Sequence, residues 1–362
     1  MKVEGRWRRA IELSEDRTVI VLDQAQLPYQ VAWIAIDSVA EAARLIRDMH
    51  VRGAPLIGAT AAYGVALAMR DDASDRGLAA ACELLAATRP TAINLRWALD
   101  TMRGALAPVA SSGRREVAYA AAAKICDDDV AQCAAIGRHG LAVIRDLAAR
   151  VGDRPIHVLT HCNAGWLATV DWGTAIAPIY HAHEAGLRVH VWVDETRPRN
   201  QGLLTAWELA QHGVPHTVIA DNQGGHLMQR GEVDLCIVGT DRTTRNGDVC
   251  NKIGTYLKAL AAHDNGVPFY AAVPSPSIDW TIGEPHEIPI EERHGDEVRF
   301  VRGRGADGAP SRVEIVAPAS AVANAAFDVT PRRLVTGLIT ERGIAPASRD
   351  GLRALFPERG ES

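Results

Sequence analysis

No run of eighteen apolar residues occurs anywhere in these 362 residues, which excludes a membrane-spanning helix of ordinary length. The opening Met1-Lys2-Val3-Glu4-Gly5-Arg6 lacks the apolar core of a secretory signal, so a cytoplasmic setting and no membrane partner are expected. Cysteines are few. The six (Cys82, Cys126, Cys133, Cys162, Cys236, Cys250) include no Cys-x-x-Cys pair, which argues against a disulfide framework and a zinc ribbon. Basic excess is missing as well: with 39 Lys and Arg dispersed along the chain and a net charge of -5, no positive field exists to grip nucleic acid. No Gly-x-Gly-x-x-Gly follows any of the β-prone runs described below, and Gly53-Ala-Pro-Leu-Ile-Gly58 lacks the Gly-Lys-Ser/Thr ending of a phosphate loop. Dinucleotide and ATP enzymes are thereby disfavoured, and no organic cofactor is expected. His181-Ala-His183-Glu184 has metal-binding residue types, but positions two apart on a helix face different ways, so no metal is expected either.

What is present is apolar content, 47%, ample for two cores in a chain of this length. Two short β-prone runs, Thr18 to Asp23 and Tyr29 to Ile36, flank Pro28 and predict a small antiparallel sheet. From Ser38 to about Ala149 the pattern is helical and alanine-rich, with Ser38 and Glu41 placed as a capping box. After Gly152 the texture changes. The runs Ile156–Thr160, Leu187–Val193, His216–Ala220, Leu235–Gly239 and Val267–Val273 alternate with helical stretches such as Leu203 to His212, closed by Gly213. That alternation predicts an α/β architecture: residues 1–149 as a domain of antiparallel strands and a helical bundle, and residues 150–362 as a Rossmann-like, doubly wound parallel sheet. Pro274 to Gly308, rich in Pro, Gly and charge, is expected to be an insertion or exposed arm.

The candidate chemistry lies at strand ends. Thr160-His-Cys-Asn-Ala-Gly165 sets Cys162 at the tip of a buried strand, before a small-residue turn and a helix expected over Thr169 to Gly186. A free cysteine is most often a small buried residue. At this address it is also a candidate for chemistry, its acidity raised by a helix amino terminus and by neighbouring His161. Asp241 follows Leu235-Cys-Ile-Val-Gly-Thr; it is either a cap or partner of Arg242, or a general acid/base whose pKa is raised by apolar surroundings. In Arg52-Gly-Ala-Pro, Gly53 and Ala54 let a ligand approach backbone N–H groups closely. Arg52 and Arg89 are the arginines that suit a phosphate, against the ordinary alternative of surface salt bridges. Asn251 and Lys252, ahead of a helix, are caps or holders of phosphate and hydroxyls. A crevice lined this way takes a small, polar anion.

Together, Arg52-Gly-Ala-Pro-Leu-Ile-Gly, Arg89-Pro-Thr-Ala-Ile-Asn-Leu, Thr160-His-Cys-Asn-Ala-Gly, Glu195-Thr-Arg-Pro-Arg-Asn-Gln-Gly, Gly239-Thr-Asp-Arg and Asn246-Gly-Asp-Val-Cys-Asn-Lys-Ile-Gly-Thr-Tyr resemble the methylthioribose-1-phosphate isomerase family. The likeness continues in order to Ile288-Pro-Ile-Glu-Glu-Arg and Ala326-Phe-Asp-Val-Thr-Pro, nearly the whole chain. It implies an aldose-ketose isomerase of methionine salvage that acts on a small-molecule sugar phosphate without metal or organic cofactor, as a homodimer. It further implies Cys162 and Asp241 as catalytic, and Arg52, Gly53, Ala54, Arg89, Gln201, Asn251 and Lys252 as substrate-binding. Gln201 rests on the resemblance alone. Thr240 and Ala325 depart from the family's usual alanine and proline, and bulky Trp166 is expected to shape the pocket for the 5-substituent, which keeps 5-deoxyribose 1-phosphate in view as a substrate. Ribose-1,5-bisphosphate isomerase and the non-catalytic regulatory subunits of a translation-initiation exchange factor are rival readings on the same fold.

Overall fold

The computed structural model describes residues 1–359. Lys2–Val3 (β1) and Arg6–Trp7 (β2) form a short hairpin, and Ile11–Leu13 (β3), Val19–Leu22 (β4) and Trp33–Ile36 (β5) form an antiparallel sheet. Five helices follow: Val39–Arg47 (α1), Ala54–Asp71 (α2), Asp75–Ala86 (α3), Ile93–Leu106 (α4) and Ser111–Val151 (α5). Ser38 caps α1 as its position predicts, its hydroxyl accepting the Glu41 N–H at 3.1 Å. Helix α2 is buried almost throughout because Leu56, Ile57, Val65 and Leu67 are joined by small alanines and glycines that let α4 and α5 approach closely. The helical half ends later than the sequence pattern suggests, since α5 runs to Val151 without a break.

The second half is built on one seven-stranded sheet. Its strands are Ile156–Thr160 (β6), Val189–Asp194 (β7), His216–Ile219 (β8), Leu235–Val238 (β9), Phe269–Ala272 (β12), Gly337–Thr340 (β17) and Gly343–Ala345 (β18), in the order β18-β17-β12-β9-β6-β7-β8. All pair in parallel except β18. The five runs read as strands from the sequence are all here. One face packs α5, Ala177–Glu184 (α6) and Gly202–His212 (α7) against Val158, Val191, Val193 and Ile237. The other packs Gln223–Gln229 (α8), Thr255–Asp264 (α9) and Arg349–Leu355 (α11) against Leu159, Val238 and Phe269. A sheet covered on both sides accounts for the fully buried apolar run of the central strand β9.

From β6 the chain steps outward through β7 and β8, then returns to lay β9 on the other side of β6. The switch in direction therefore falls between β6 and β9. Crevices outside the carboxyl ends of strands at such a switch are where open α/β sheets bind ligands. Cys162 follows β6 and Asp241 follows β9, so the topology sets both at this crevice.

Between β9 and β17 lies a second, four-stranded sheet of Arg242–Thr244 (β10), Val249–Lys252 (β11), Ile278–Asp279 (β13) and Phe327–Thr330 (β16). The Pro274–Gly308 segment is thus only partly an arm: Ile278–Asp279 belongs to this sheet, while Asp296–Arg299 (α10) leads to a hairpin of Phe300–Arg304 (β14) and Pro310–Glu314 (β15). Gly303-Arg-Gly305-Ala-Asp-Gly308 has dinucleotide-motif spacing, but it forms the end of β14 and the turn into β15, with no helix behind it to meet a pyrophosphate.

Candidate active site

All nine residues singled out from the sequence line one cavity. Arg52, Gly53, Ala54 and Arg89 come from the helical half, and Cys162, Gln201, Asp241, Asn251 and Lys252 from the sheet half, around about 620 Å³ of space that includes the open mouth. Met49, Asn163, Thr240, Pro274 and Phe327 are also part of the wall. A larger chamber of about 1030 Å³ adjoins it through Met49, Arg52 and Gln201 but includes neither Cys162 nor Asp241.

Each position has a local cause. Gly53 caps α2 at φ +92°, and a Cβ there would fall 2.4 Å from the backbone of Ala168, so only glycine lets the amino end of α2 meet the β6 loop. Arg52 donates through Nη2 to the carbonyl of Asn163 at 2.7 Å and through Nη1 to the Asn163 side chain, which fixes its guanidinium at the cavity. Arg89 is oriented by Glu291 at 2.9 Å. Lys252 donates to the carbonyl of Ala326 at 2.9 Å and lies 4.6 Å over the ring of Phe327. Asn251 and Lys252 are the end of strand β11 rather than helix caps, and Gln201 immediately precedes α7. The buried Gln201 Oε1 has no hydrogen-bond partner among the described residues.

Electrostatics corrects one expectation. The helix expected just after Cys162 starts only at Ala177; Trp166–Ala168 is a single 3₁₀ turn, and irregular chain follows. Neither does His161 lean toward the sulfur. Its Nδ1 faces Asp194 at 2.8 Å and its Nε2 donates to the Ile253 carbonyl at 2.8 Å. Deprived of a helix end and buried, the Cys162 thiol is pushed up in pKa, an effect that Arg52 and Lys252 oppose without reversing. Asp241 moves as its apolar setting suggests: burial raises its pKa against the opposing pull of Lys252, Arg52 and Arg89. Lys252 is pushed down by burial, with Cys162 and Asp241 opposing. Burial thus shifts both the thiol and the carboxyl toward their neutral forms, while Arg52 and Lys252 pull both the other way.

Trp166 does not shape the pocket. It is fully buried against Trp207, ring centroids 6.1 Å apart. His161, Asp194 and Asp221 gather closely enough for a metal ion, but the protein supplies its own cation there: Lys258 Nζ is 3.0 Å from Asp194 and donates to the Asp221 carbonyl at 2.6 Å.

A family model described as the initiation factor 2 subunit family matches residues 50–347. A methylthioribose-1-phosphate isomerase of Rhizobium meliloti is 63% identical over 99% of this chain and 100% of its own length. One of Paramagnetospirillum magneticum is 62% identical over 99% and 100%. This chain belongs to the methylthioribose-1-phosphate isomerase family. Among solved structures, 5-methylthioribose 1-phosphate isomerase from Pyrococcus horikoshii matches with a TM-score of 0.82 at 37% identity, over 98% of this chain and 97% of that one. Translation initiation factor eIF-2B, subunit delta, from A. fulgidus matches with 0.80 at 36%, over 97% and 100%. The fold alone does not separate the isomerase family from the initiation-factor subunits; the relatives above 60% identity do.

Asn163, the polar residue beside Cys162 at the strand tip, stands between Arg52 and the sheet.

Proposed function

We propose that this chain converts 5-methylthioribose 1-phosphate to 5-methylthioribulose 1-phosphate, an aldose-ketose isomerisation of methionine salvage. The observation that carries the reading is the meeting of Cys162 and Asp241 with three phosphate-suited cations, Arg52, Arg89 and Lys252, in one cavity between residues 1–149 and 150–362, read as its two domains.

A phosphate on C1 blocks the free aldehyde, so the ring must open without an ordinary enediol route. Arg52, Arg89, Lys252 and the N–H groups at the start of α2 hold the phosphate, while Gln201 and Asn251 take hydroxyls. Asp241, its carboxyl shifted toward the protonated form by burial, gives its proton to the ring oxygen as the C1–O bond breaks. C1 is left electron-poor. The hydrogen on C2 moves to C1 with its electron pair, and the C2 hydroxyl returns a proton to Asp241 as the ketone forms. Cys162, pushed toward the thiol by its surroundings, is suited to packing against C2 in a water-poor pocket. The competing route makes Cys162 thiolate the base that removes the C2 hydrogen as a proton through a phosphoenolate, and its raised pKa counts against that.

The protein acts as a homodimer in the cytoplasm. Among the described residues no helix is long and apolar enough to cross a membrane. Light scattering on the purified chain reads the oligomeric state. An NMR assay with 5-methylthioribose 1-phosphate, 5-deoxyribose 1-phosphate and ribose 1,5-bisphosphate tests the activity: fastest turnover of the first is expected, preference for the second reassigns the 5-substituent, and turnover of none sinks the isomerase reading.

A further inference from the structure

Cys162 sits in a backbone conformation that a side-chain-bearing residue rarely adopts, φ +67°. Thr196, across the strand tips, has φ +61°, rarer still for a β-branched residue. Such strain persists only where the surroundings over-determine it, and it gathers at sites where a side chain must be aimed.

Two threonine hydroxyls supply that determination. Thr196 Oγ1 accepts the Cys162 N–H at 2.8 Å, and Thr205 Oγ1 donates to the Cys162 carbonyl at 2.8 Å. Both threonines are fully buried, and each is itself held. Thr196 donates to Asp194 Oδ1 at 2.8 Å, and Asp194 is fixed by His161 and Lys258. Thr205 accepts from Asn163 Nδ2 at 3.1 Å, which ties the same hydroxyl to the residue that orients Arg52. One turn further along α7, Glu208 accepts the Leu167 N–H at 3.0 Å, securing the far end of the loop. A Cβ on Gly165 would fall 1.4 Å from Glu208 Oε1, so glycine at 165 is what admits that carboxyl. Gln201, Thr205 and Glu208 are spaced i, i+4, i+7 and share one face of the helix. Gln201, which meets the cavity, and Thr205 and Glu208, which hold the thiol's loop, therefore stand on one helix face.

We propose that Thr196 and Thr205 are positioning residues for Cys162, clamping its N–H and its C=O from opposite sides and holding the left-handed backbone that aims the sulfur into the cavity. Neither touches substrate; each acts through the cysteine. The inference rests on the isomerase reading for its consequence in turnover, but the clamp has a readout of its own.

Thr196→Val and Thr205→Val keep the shape and lose the hydroxyl; Thr196→Ser and Thr205→Ser keep the hydroxyl. With 5-methylthioribose 1-phosphate, kcat is expected to fall about tenfold or more in each valine variant with KM within about twofold, while the serine variants stay near wild type. The alkylation rate of Cys162 by iodoacetamide, followed by peptide mass spectrometry, is expected to change in the valine variants and not in the serine ones. If a valine variant does not fold, Thr196→Ala or Thr205→Ala, which removes the hydroxyl without crowding, carries the same measurement. Wild-type kcat and an unchanged alkylation rate in the valine or alanine variants overturns the clamp, as does equal loss in the serine variants. A wild-type enzyme that turns over none of the sugar phosphates defeats the isomerase reading instead, and the alkylation rates still decide the clamp.

Discussion

At the scale of single residues, the site depends on burial overcoming charge. Cys162 and Asp241 sit among cations that favour their ionised forms, yet desolvation wins for both. Substrate carrying deuterium at C2 is therefore expected to keep its label through turnover, as NMR of the product will show; loss of the label to water transfers the step to a thiolate base. Cys162→Ser and Asp241→Asn are each expected to lower kcat by about a thousandfold or more with an unchanged circular dichroism spectrum. Glu208 behaves in the same way further from the chemistry, its pKa pushed from 4.5 to about 7 by burial, which the Leu167 N–H and Asn163 only partly offset. Because the folded state holds this proton more tightly than the unfolded chain, the stability linked to it is complete below the unfolded value and is lost as pH rises through about 7. Glu208→Gln keeps an acceptor for Leu167 and removes the titration. Urea unfolding should show the variant gaining on wild type between acid and mildly basic pH, by roughly 1–3 kcal/mol. Most of the cavity residues were legible from chemistry and address: arginines for a phosphate, a glycine before a helix, a thiol at a strand tip. Thr196, Thr205 and Glu208 were not, because an ordinary threonine or glutamate has meaning only once the fold shows which backbone groups it meets.

At the scale of elements, the central strands were plain in the sequence because burial on both faces favours apolar runs, as in β9, where Leu235–Val238 are all buried, whereas the edge strand β8, His216–Ile219, is half exposed and more polar. The loop after β6 was misread for an equally physical reason. Thr169 to Gly186 has helical composition, but Trp172 at φ +68° and Gly173 at φ +81° turn the chain the wrong way for a helix, and α6 begins only where Ala177 and Pro178 can start it. The amino end of α2 is held more tightly, since Gly53 combines a left-handed backbone with contact to the Ala168 backbone. Gly53→Ala must shift main chain on one side or the other. It is expected to destabilise the fold by about 2 kcal/mol or more and to raise KM, because moving α2 withdraws its N–H groups from the phosphate. Thermal melting and initial rates on the same preparation check both; an alanine variant with wild-type melting and KM removes the close approach from the mechanism.

At the scale of the whole molecule, the cavity takes its wall from both halves. Arg52, Gly53, Ala54 and Arg89 lie before the long α5, and Cys162, Gln201, Asp241, Asn251 and Lys252 after it. The arm links the two sides by a ladder of ion pairs: Glu291 with Arg89 at 2.9 Å, Arg293 with Glu291 at 2.6 Å and with Glu297 at 2.8 Å, and Glu297 with Arg199 at 2.9 Å. Pairs of this kind contribute little one by one, and more as a connected, half-buried set. That the arm would reach Arg89 was not visible in a segment of Pro, Gly and charge, because nothing local marks which charges meet across such a distance in sequence. On the proposed reading a bound ligand touches both halves, and its binding energy then adds to the stability of the folded whole and to neither part separately. Substrate at a hundred times its Kd is expected to stabilise the protein by about 2.7 kcal/mol, seen as a single melting transition that moves upward. Arg89→Ala removes a proposed phosphate contact and the top of the ladder together, so it should lower the ligand-induced shift at the same substrate concentration far more than it lowers the melting point of the free protein. A ligand that splits the melting into two transitions, only one of which responds, places the substrate on a single half and removes the cavity between them as its site.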